Sequence, residues 1–201
     1  VGPTPAQLAL FGDKAQARAA AIAADVPVME GIDRAITLEE AETFFASTGG
    51  PVMLKAIAGG GGRGSRAVQG ADHLSDAFAR CQSEAEAAFG RGDLYIERFM
   101  PRARHIEVQI LGDGTGGVVD FGTRECSVQR RYQKLIEIAP APHLATEVSD
   151  QIIAAAKRMA EAASYQSLGT FEFLLDAGSG AFVFIEANAR LQVEHTVTEE
   201  V

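Results

Sequence analysis

Five polar side chains recur at every second position in the run FIEANARLQVEH, from Phe184 to His195: Glu186, Asn188, Arg190, Gln192 and Glu194. An extended backbone points alternate residues to opposite faces, so this spacing puts all five on one side. Ala187, Ala189, Leu191 and Val193 then face the other way. Acids, an amide and a guanidinium converging on one face suit a cation and an anion held side by side. An amphipathic edge strand with a solvated face is the plainer reading of the same alternation.

A second run, Leu168 to Leu175, carries Glu172 between Phe171 and Phe173, and Asp176-Ala177-Gly178-Ser179-Gly180 separates the two runs with turn-forming residues. The pair reads as an antiparallel hairpin. A turn centred on Ser179 sets Glu172 opposite Glu186. Like charges directly opposite destabilise a sheet unless something positive lies between them, and a divalent cation would serve. Carboxylates plus an amide, with no His or Cys expected close by, are hard oxygen ligands that select Mg2+ or Mn2+ over zinc. The remaining ligands of such a metal are waters or phosphate oxygens, so a polyphosphate site is expected nearby.

The elements that must position these groups belong to a chain of 201 residues, 47% hydrophobic and 22% charged, with a net charge of -9. That length buries a sizeable core as one large domain or two small ones. The negative charge argues against nucleic acid as a partner, because phosphate binding needs a basic surface. There is no apolar run long enough for a membrane span and no basic-then-apolar leader, so a cytoplasmic protein is expected. Cys81 and Cys126 are too few and too far apart for a disulfide framework and read as reduced thiols. The chain begins Val1-Gly2-Pro3-Thr4 and ends Glu199-Glu200-Val201, just past its densest polar motif, which reads as a piece of a longer protein.

Along the chain, Thr4-Pro5-Ala6-Gln7 is a capping box with proline at the first helical position, opening a short helix to about Phe11. Asp13 caps a second, alanine-rich helix from Lys14 to about Ala24. Lys14 in that first turn opposes the helix dipole and is by default an exposed lysine, unless an anion lies close. Val26-Pro27-Val28 is a short extended piece. Thr37-Leu38-Glu39-Glu40 opens a helix that stops at Gly49-Gly50. A strand from Pro51 to Ala56 leads into Gly59-Gly60-Gly61-Gly62-Arg63-Gly64, and Ser65 to Val68 returns. This glycine run lacks the GK[ST] ending of a P-loop and leads back into a strand, so it reads as a mobile hairpin flap whose amides approach phosphate, with Lys55 at its base; a flexible linker is the plainer alternative, which the flanking strands and the lysine disfavour.

Asp72 to Phe89 reads as a helix with Cys81 on its buried stripe, and Leu94 to Phe99 as a strand; a lobe boundary is expected at Pro101. The expected division is connecting helices over 1–26, a small lobe over 27–100 and the first part of a large lobe over 101–201. Arg104 to Leu111 alternates, with Ile106, Val108 and Ile110 opposite His105, Glu107 and Gln109, and turns at Gly112-Asp113-Gly114 into Val118 to Phe121. The run RECSVQRRYQK concentrates Arg124, Arg130, Arg131 and Lys134, either pairing with surface acids or clamping an anion. Glu137 to Pro142 reads as a proline-bounded loop and Thr146 to Ser164 as a long helix behind the Glu172 hairpin.

Taken together the motifs resemble the biotin carboxylase component of biotin-dependent carboxylases, an ATP-grasp family. The resemblance rests on GDK at Gly12 to Lys14, KA followed by GGGGRG at Lys55 to Gly64, RHIEVQ, ECSVQRRYQK, EIAPAP, GTFEFL and FIEANARLQVEH, in order over essentially the whole chain. It implies an α+β ATP-grasp fold of two lobes gripping ATP, with the family's N-terminal domain and the end of its C-terminal lobe absent. It also implies Lys14, Lys55, Gly61 and Gly62 on phosphates, Glu97, Arg98, Phe99 and Met100 along the adenine, and His105, Gln129 and Tyr132 near the nucleotide. Glu172, Glu186 and Asn188 would hold Mg2+ or Mn2+. Lys134, Arg190, Gln192 and the backbone of Val193 would hold bicarbonate, and Glu194 would be the base, so that Lys134, Arg190 and Glu194 carry the chemistry.

Tyr132 stands where the family has histidine, Arg98 where it has lysine, Ala58 where it has glycine, and Ala189 and Thr196 where it has threonine and proline. A biotin-contacting arginine of the family should lie beyond Val201. The implied activity is ATP-dependent carboxylation of biotin through carboxyphosphate, with biotin on a carrier domain, a carboxyltransferase partner and an oligomeric parent; the final acceptor is an acyl-CoA, pyruvate or urea. The fragment alone is expected to be inactive. A carbamoyl-phosphate-synthetase-like ligase shares the acid pair and Asn-x-Arg, and an isolated ATP-binding module without activity is the reading from another class.

Overall fold

In the computed structural model, residues 2–58, 64–130 and 133–201 are described. Gly61 and Gly62 of the expected flap, and Arg131 and Tyr132 of the basic run, lie outside the described residues. The described residues form two compact units, one of 29–101 with Gln133 and the other of 2–28 with 102–130 and 134–201.

Helices α1 (Pro5–Gly12) and α2 (Lys14–Ala23) start where their caps direct. The Thr4 hydroxyl accepts from the Gln7 amide while the Gln7 side chain accepts from the Thr4 amide, so two N–H groups with no partner inside the helix are satisfied together. The Gln7 amide group also donates to the carbonyls of Ala163 and Ser164, which ties α1 into the larger unit. Phe11, Ala17 and Ala21 of these connecting helices sit in that unit's core.

The smaller unit contains β1 (Gly31–Ile32), α3 (Leu38–Thr48), β2 (Val52–Ala56), β3 (Ser65–Val68), a 3-10 turn (Ala71–His73), α4 (Leu74–Phe89) and β4 (Leu94–Arg98). Its antiparallel sheet has the order β1-β4-β2-β3. Thr37 and Glu40 make the second capping box, and Gly49 closes α3 in the left-handed conformation at φ 60°. The apolar stripe of α4 (Leu74, Ala77, Phe78, Cys81, Ala85) is buried together with Val52, Leu54 and Ile96 of the sheet. The start expected at Asp72 falls in the 3-10 turn, and β1 was not foreseen because two residues carry no periodic signal.

The larger unit is a five-stranded antiparallel sheet, ordered β7-β6-β5-β8-β9, built from β5 (Ala103–Asp113), β6 (Val118–Arg130), β7 (Gln133–Ile138), β8 (Gln166–Asp176) and β9 (Phe182–Asn188). Helix α5 (Thr146–Ala162) and a short α6 (His195–Glu199) complete it. Ile106, Val108, Ile110, Phe171, Phe173 and Phe184 share one core with Ile152, Ala156 and Met159 of α5. Phe11 meets Phe171 edge-on at 5.3 Å between ring centroids, a contact worth about 0.5–1.5 kcal/mol beyond burial.

Two expectations change here. The proline-bounded loop does not begin at Glu137, because β7 continues to Ile138. The basic run RECSVQRRYQK is also no free cluster: its first half is the end of β6, where Arg124 is wholly buried.

Candidate active site

The antiparallel registers line up one row across four strands. Arg124 on β6 faces Glu107 on β5, Glu107 faces Glu172 on β8, and Glu172 faces Glu186 on β9. Three acids side by side would push the strands apart, so the cations around them decide the structure. Arg124 Nε donates to Glu107 Oε1 at 2.5 Å. Lys134, reaching in from β7, donates to Glu107 Oε2 at 2.6 Å and to Glu172 Oε1 at 3.0 Å, and its Nζ lies 3.6 Å from Glu194. Burial pulls the Lys134 ammonium toward losing its proton, but Glu172 and Glu107 outweigh burial and hold its pKa above the ordinary value.

Glu172 is buried and has a donor on each oxygen. His105 Nε2 lies 2.6 Å from Oε2, and Asn188 Nδ2 donates to Oε1 at 2.6 Å. Gln129 Nε2 donates to His105 Nδ1 at 2.7 Å, which leaves Nε2 of a neutral ring to carry the proton toward Glu172. Burial alone would raise the Glu172 carboxyl, but the His105 hydrogen bond and the Lys134 ammonium outweigh it and hold the pKa down at about 2. His105, Glu107 and Glu172 bring ligand atoms within 4.8 Å of one another, a spacing that could hold a metal ion. A histidine therefore stands at the acids where none was expected, while Glu186 and the side-chain oxygen of Asn188 add hard oxygen donors on the adjacent strand that fit Mg2+ or Mn2+.

Glu172 and Glu186 do pair, by a different route from the one the turn suggested. Leu175 pairs with Phe182 and Phe173 with Phe184, so the hairpin is centred ahead of Ser179. An uninterrupted ladder in that register would set Glu172 against Ile185. A bulge that leaves Ile185 extra on β9 restores the opposition of the two acids.

Past Asn188 the extended-strand reading fails. The Arg190 amide donates to the Asn188 carbonyl at 2.8 Å and the His195 amide to the Gln192 carbonyl at 3.3 Å, so the backbone bonds to itself instead of continuing the ladder. Arg190, Gln192 and Glu194 therefore do not share a strand face. Arg190 is exposed, with Nη2 3.4 Å from Asn188 Oδ1. Leu191 and Val193, expected on an apolar face, are 52% and 91% exposed. Gln192 is buried, and its Nε2 has no hydrogen-bond partner among the described residues.

Lys14 is exposed at the first position of α2. In the smaller unit Lys55 pairs with Glu97 across β2 and β4, and lies 5.9 Å from the Tyr95 ring centroid. Arg98 is exposed with Glu30 3.7 Å away, while Phe99 and Met100 follow the end of β4, half-buried. Arg124, suspected as part of an anion clamp, is enclosed by Glu107, Gln109, Thr170 and Thr198 instead. Burial pushes the Cys126 thiol up, helped by the charge of Glu107, and its Sγ donates to Glu137 Oε2, so it is no ready nucleophile.

Thr198 escaped the sequence reading, Glu107 and Gln109 were read only as one face of a strand, and Arg124 was assigned to an anion instead of to the acid row. Their signal was the coincidence of polar alternation on neighbouring strands: Glu107 and Gln109 on β5 against Thr170 and Glu172 on β8. Surface strands do not repeat polar faces on both sides of a shared row without something to enclose between them.

One unit holds an antiparallel sheet with an acid row met by a lysine, a histidine and an arginine, the other a smaller antiparallel sheet with a lysine–glutamate pair, and the comparison with known proteins identifies the α+β ATP-grasp fold. Residues 13–201 match the family described as carbamoyl-phosphate synthase L chain, ATP binding domain. The whole chain aligns with pyruvate carboxylase 1 of Caenorhabditis elegans at 53% identity and with human mitochondrial pyruvate carboxylase at 49%, covering 17% of the length of each. Among solved structures it superposes over its full length on a biotin carboxylase–nucleotide complex from Campylobacter jejuni, with TM-score 0.91, 45% identity and 45% of that chain covered. It does so too on the biotin carboxylase domain of a 2-oxoglutarate carboxylase from Hydrogenobacter thermophilus, in complex with magnesium ADP and bicarbonate, with TM-score 0.89, 43% identity and 44% covered. The chain belongs to this ATP-binding domain family, and within it to the biotin carboxylase region of biotin-dependent carboxylases.

Proposed function

We propose that this region binds Mg·ATP and bicarbonate and, as part of its parent carboxylase, drives carboxylation of biotin. The observation that carries the bicarbonate reading is Gln192: a buried amide donor without a partner loses on the order of 1–3 kcal/mol, and a small anion rich in acceptors recovers it. Exposed Arg190 and the charged Lys134 supply the matching cations. An oxygen of bicarbonate attacks the γ-phosphorus, the bond to the bridging oxygen breaks, and ADP leaves with carboxyphosphate formed. Carboxyphosphate then releases carbon dioxide and phosphate, the phosphate takes the N–H proton of the biotin ring, and the freed nitrogen captures the carbon dioxide.

Glu194 takes the proton from bicarbonate, since its carboxylate lies near Lys134 and caps no helix amide of α6. Lys134 and Arg190 offset charge as it develops on the anion. Glu172, Glu186 and Asn188 would hold Mg2+ or Mn2+, which supplies charge neutralisation at the phosphoryl oxygens. Lys14, Lys55, Gly61, Gly62, Glu97, Arg98, Phe99, Met100, His105, Gln129 and Tyr132 are the proposed nucleotide contacts. Biotin presented by a carrier domain, a carboxyltransferase partner and an oligomeric parent complete the proposal, the last supported by the dimer named for the Hydrogenobacter domain. No helix among the described residues is long and apolar enough to cross a membrane. We keep the cytoplasm as the proposed location, while relatives named as mitochondrial make fractionation of the parent the check.

Glu194→Gln in the parent carboxylase tests the reading. Mg·ATP affinity should stay unchanged while bicarbonate-dependent ATP hydrolysis falls by about 10²–10⁴-fold, the usual size of general-base catalysis. Stimulation of that hydrolysis by free biotin and not by ammonia separates a biotin carboxylase from a carbamoyl-phosphate-forming ligase. Full turnover in the variant at saturating bicarbonate would remove Glu194 from the role of base.

A further inference from the structure

We propose that Arg124 is a positioning residue that closes a ring of contacts fixing Lys134 relative to Glu194. This rests on the proposed function, because it concerns the two groups assigned there to bicarbonate. The ring runs from Lys134 to Glu107 at 2.6 Å, from Glu107 to Arg124 at 2.5 Å, and from Arg124 Nη1 to the Thr198 hydroxyl at 2.7 Å. It returns through one turn of α6 to Glu194, whose carboxylate lies 3.6 Å from Lys134.

Each link is needed for a physical reason. Helix α6 has five residues and no side-chain cap, too short to hold itself in place. Thr198 is its one buried residue, and it is the residue that meets Arg124. The position of Glu194, immediately before α6, is therefore set from below by the guanidinium. On the other side, Glu107 gives one oxygen to Arg124 and the other to Lys134, so the rotamer that holds Lys134 is the one Arg124 selects.

A guanidinium can do this because its planar fork donates in several fixed directions at once; here Nε serves Glu107 while Nη1 serves Gln109 and Thr198. A lysine at the same position keeps the charge and loses the geometry. Arg124 is itself enclosed, with 1% exposure, and does not reach the surface where substrate would enter.

The test uses the parent carboxylase and three variants: Thr198→Val, Thr198→Ser and Arg124→Lys. Thr198→Val and Arg124→Lys should lower kcat/KM for bicarbonate by about 10–100-fold, the usual cost of losing a group that orients a reacting one. The KM for Mg·ATP should stay within about twofold in both, and Thr198→Ser, which keeps the hydroxyl, should behave as wild type. Circular dichroism and thermal unfolding show which variants are folded. If Arg124→Lys does not fold, the Val and Ser variants at Thr198 decide the matter.

Wild-type bicarbonate kinetics in folded Thr198→Val would overturn the inference, as would a parallel rise of both KM values, which marks general loosening. A wild-type parent with no bicarbonate-dependent turnover would instead overturn the proposed function, and the ring's role with it.

Discussion

Ile106 and Glu107 are neighbours in β5 with no solvent exposure at either, and they look into different media. Ile106 faces a layer of aromatic rings and α5, where any apolar group of similar size fills the space. Glu107 faces an equally closed layer in which each oxygen has one assigned cation. The same alternation that makes a sheet amphipathic here makes it two-sided in another sense: one face is held by volume and the other by charge balance. The first should bend under substitution, and the second should break.

The largest expected effect is on the charged face. Arg124→Met keeps the approximate bulk and leaves Glu107 with Lys134 alone, so the unfolding free energy should fall by about 3–5 kcal/mol. Urea titration measures it, and a loss below about 1 kcal/mol would make the two faces equivalent. One residue away in space, Ile106→Val removes a methylene from the apolar face and should cost only about 0.5–1.5 kcal/mol by the same titration.

The smallest effect should come from the ion pair at the rim of the apolar side. Arg104 makes two hydrogen bonds to Glu125, at 3.1 and 2.6 Å. Partial burial alone would raise the Glu125 carboxyl, but Arg104, Ser127 and nearby His143 outweigh it and lower its pKa from the ordinary 4.5. Because the folded value is the lower one, the pair's contribution is fully present above pH 4.5 and is lost as pH falls through the folded value. Glu125→Gln should therefore cost less than about 1 kcal/mol at neutral pH and flatten the acid limb of stability against pH, followed by thermal unfolding between pH 3 and 6. An unchanged acid limb would assign that limb to the buried row instead.

Much of the scaffold was legible because the signals were local. Thr4 with Gln7, Asp13, and Thr37 with Glu40 each announce a helix start within four residues, and the structure follows them. The Glu172–Glu186 opposition was legible too, although its register was not, since a bulge leaves no mark in composition. The polar interior face was hidden for a different reason. Alternation says which residues share a side, while only the neighbouring strands say whether that side is wet, so His105, Glu107 and Gln109 looked like an ordinary outer face. Beyond Asn188 the period of two continued in the sequence after the ladder had ended. There the backbone bonds of Arg190 and His195 decided the path, and side-chain spacing carried no information about it.

The extra residue at Ile185 gives the hairpin two independent phases. Before it, even-numbered Phe184 turns toward the rings; after it, even-numbered Glu186 turns toward the acid row. The turn sets the first phase and the bulge the second. Related chains could thus trade residues 177–180 while the acid pairing is inherited unchanged, and losing the single residue Ile185 would leave Glu186 opposite Glu172 in an unbroken ladder, removing only the extra local twist that the bulge adds.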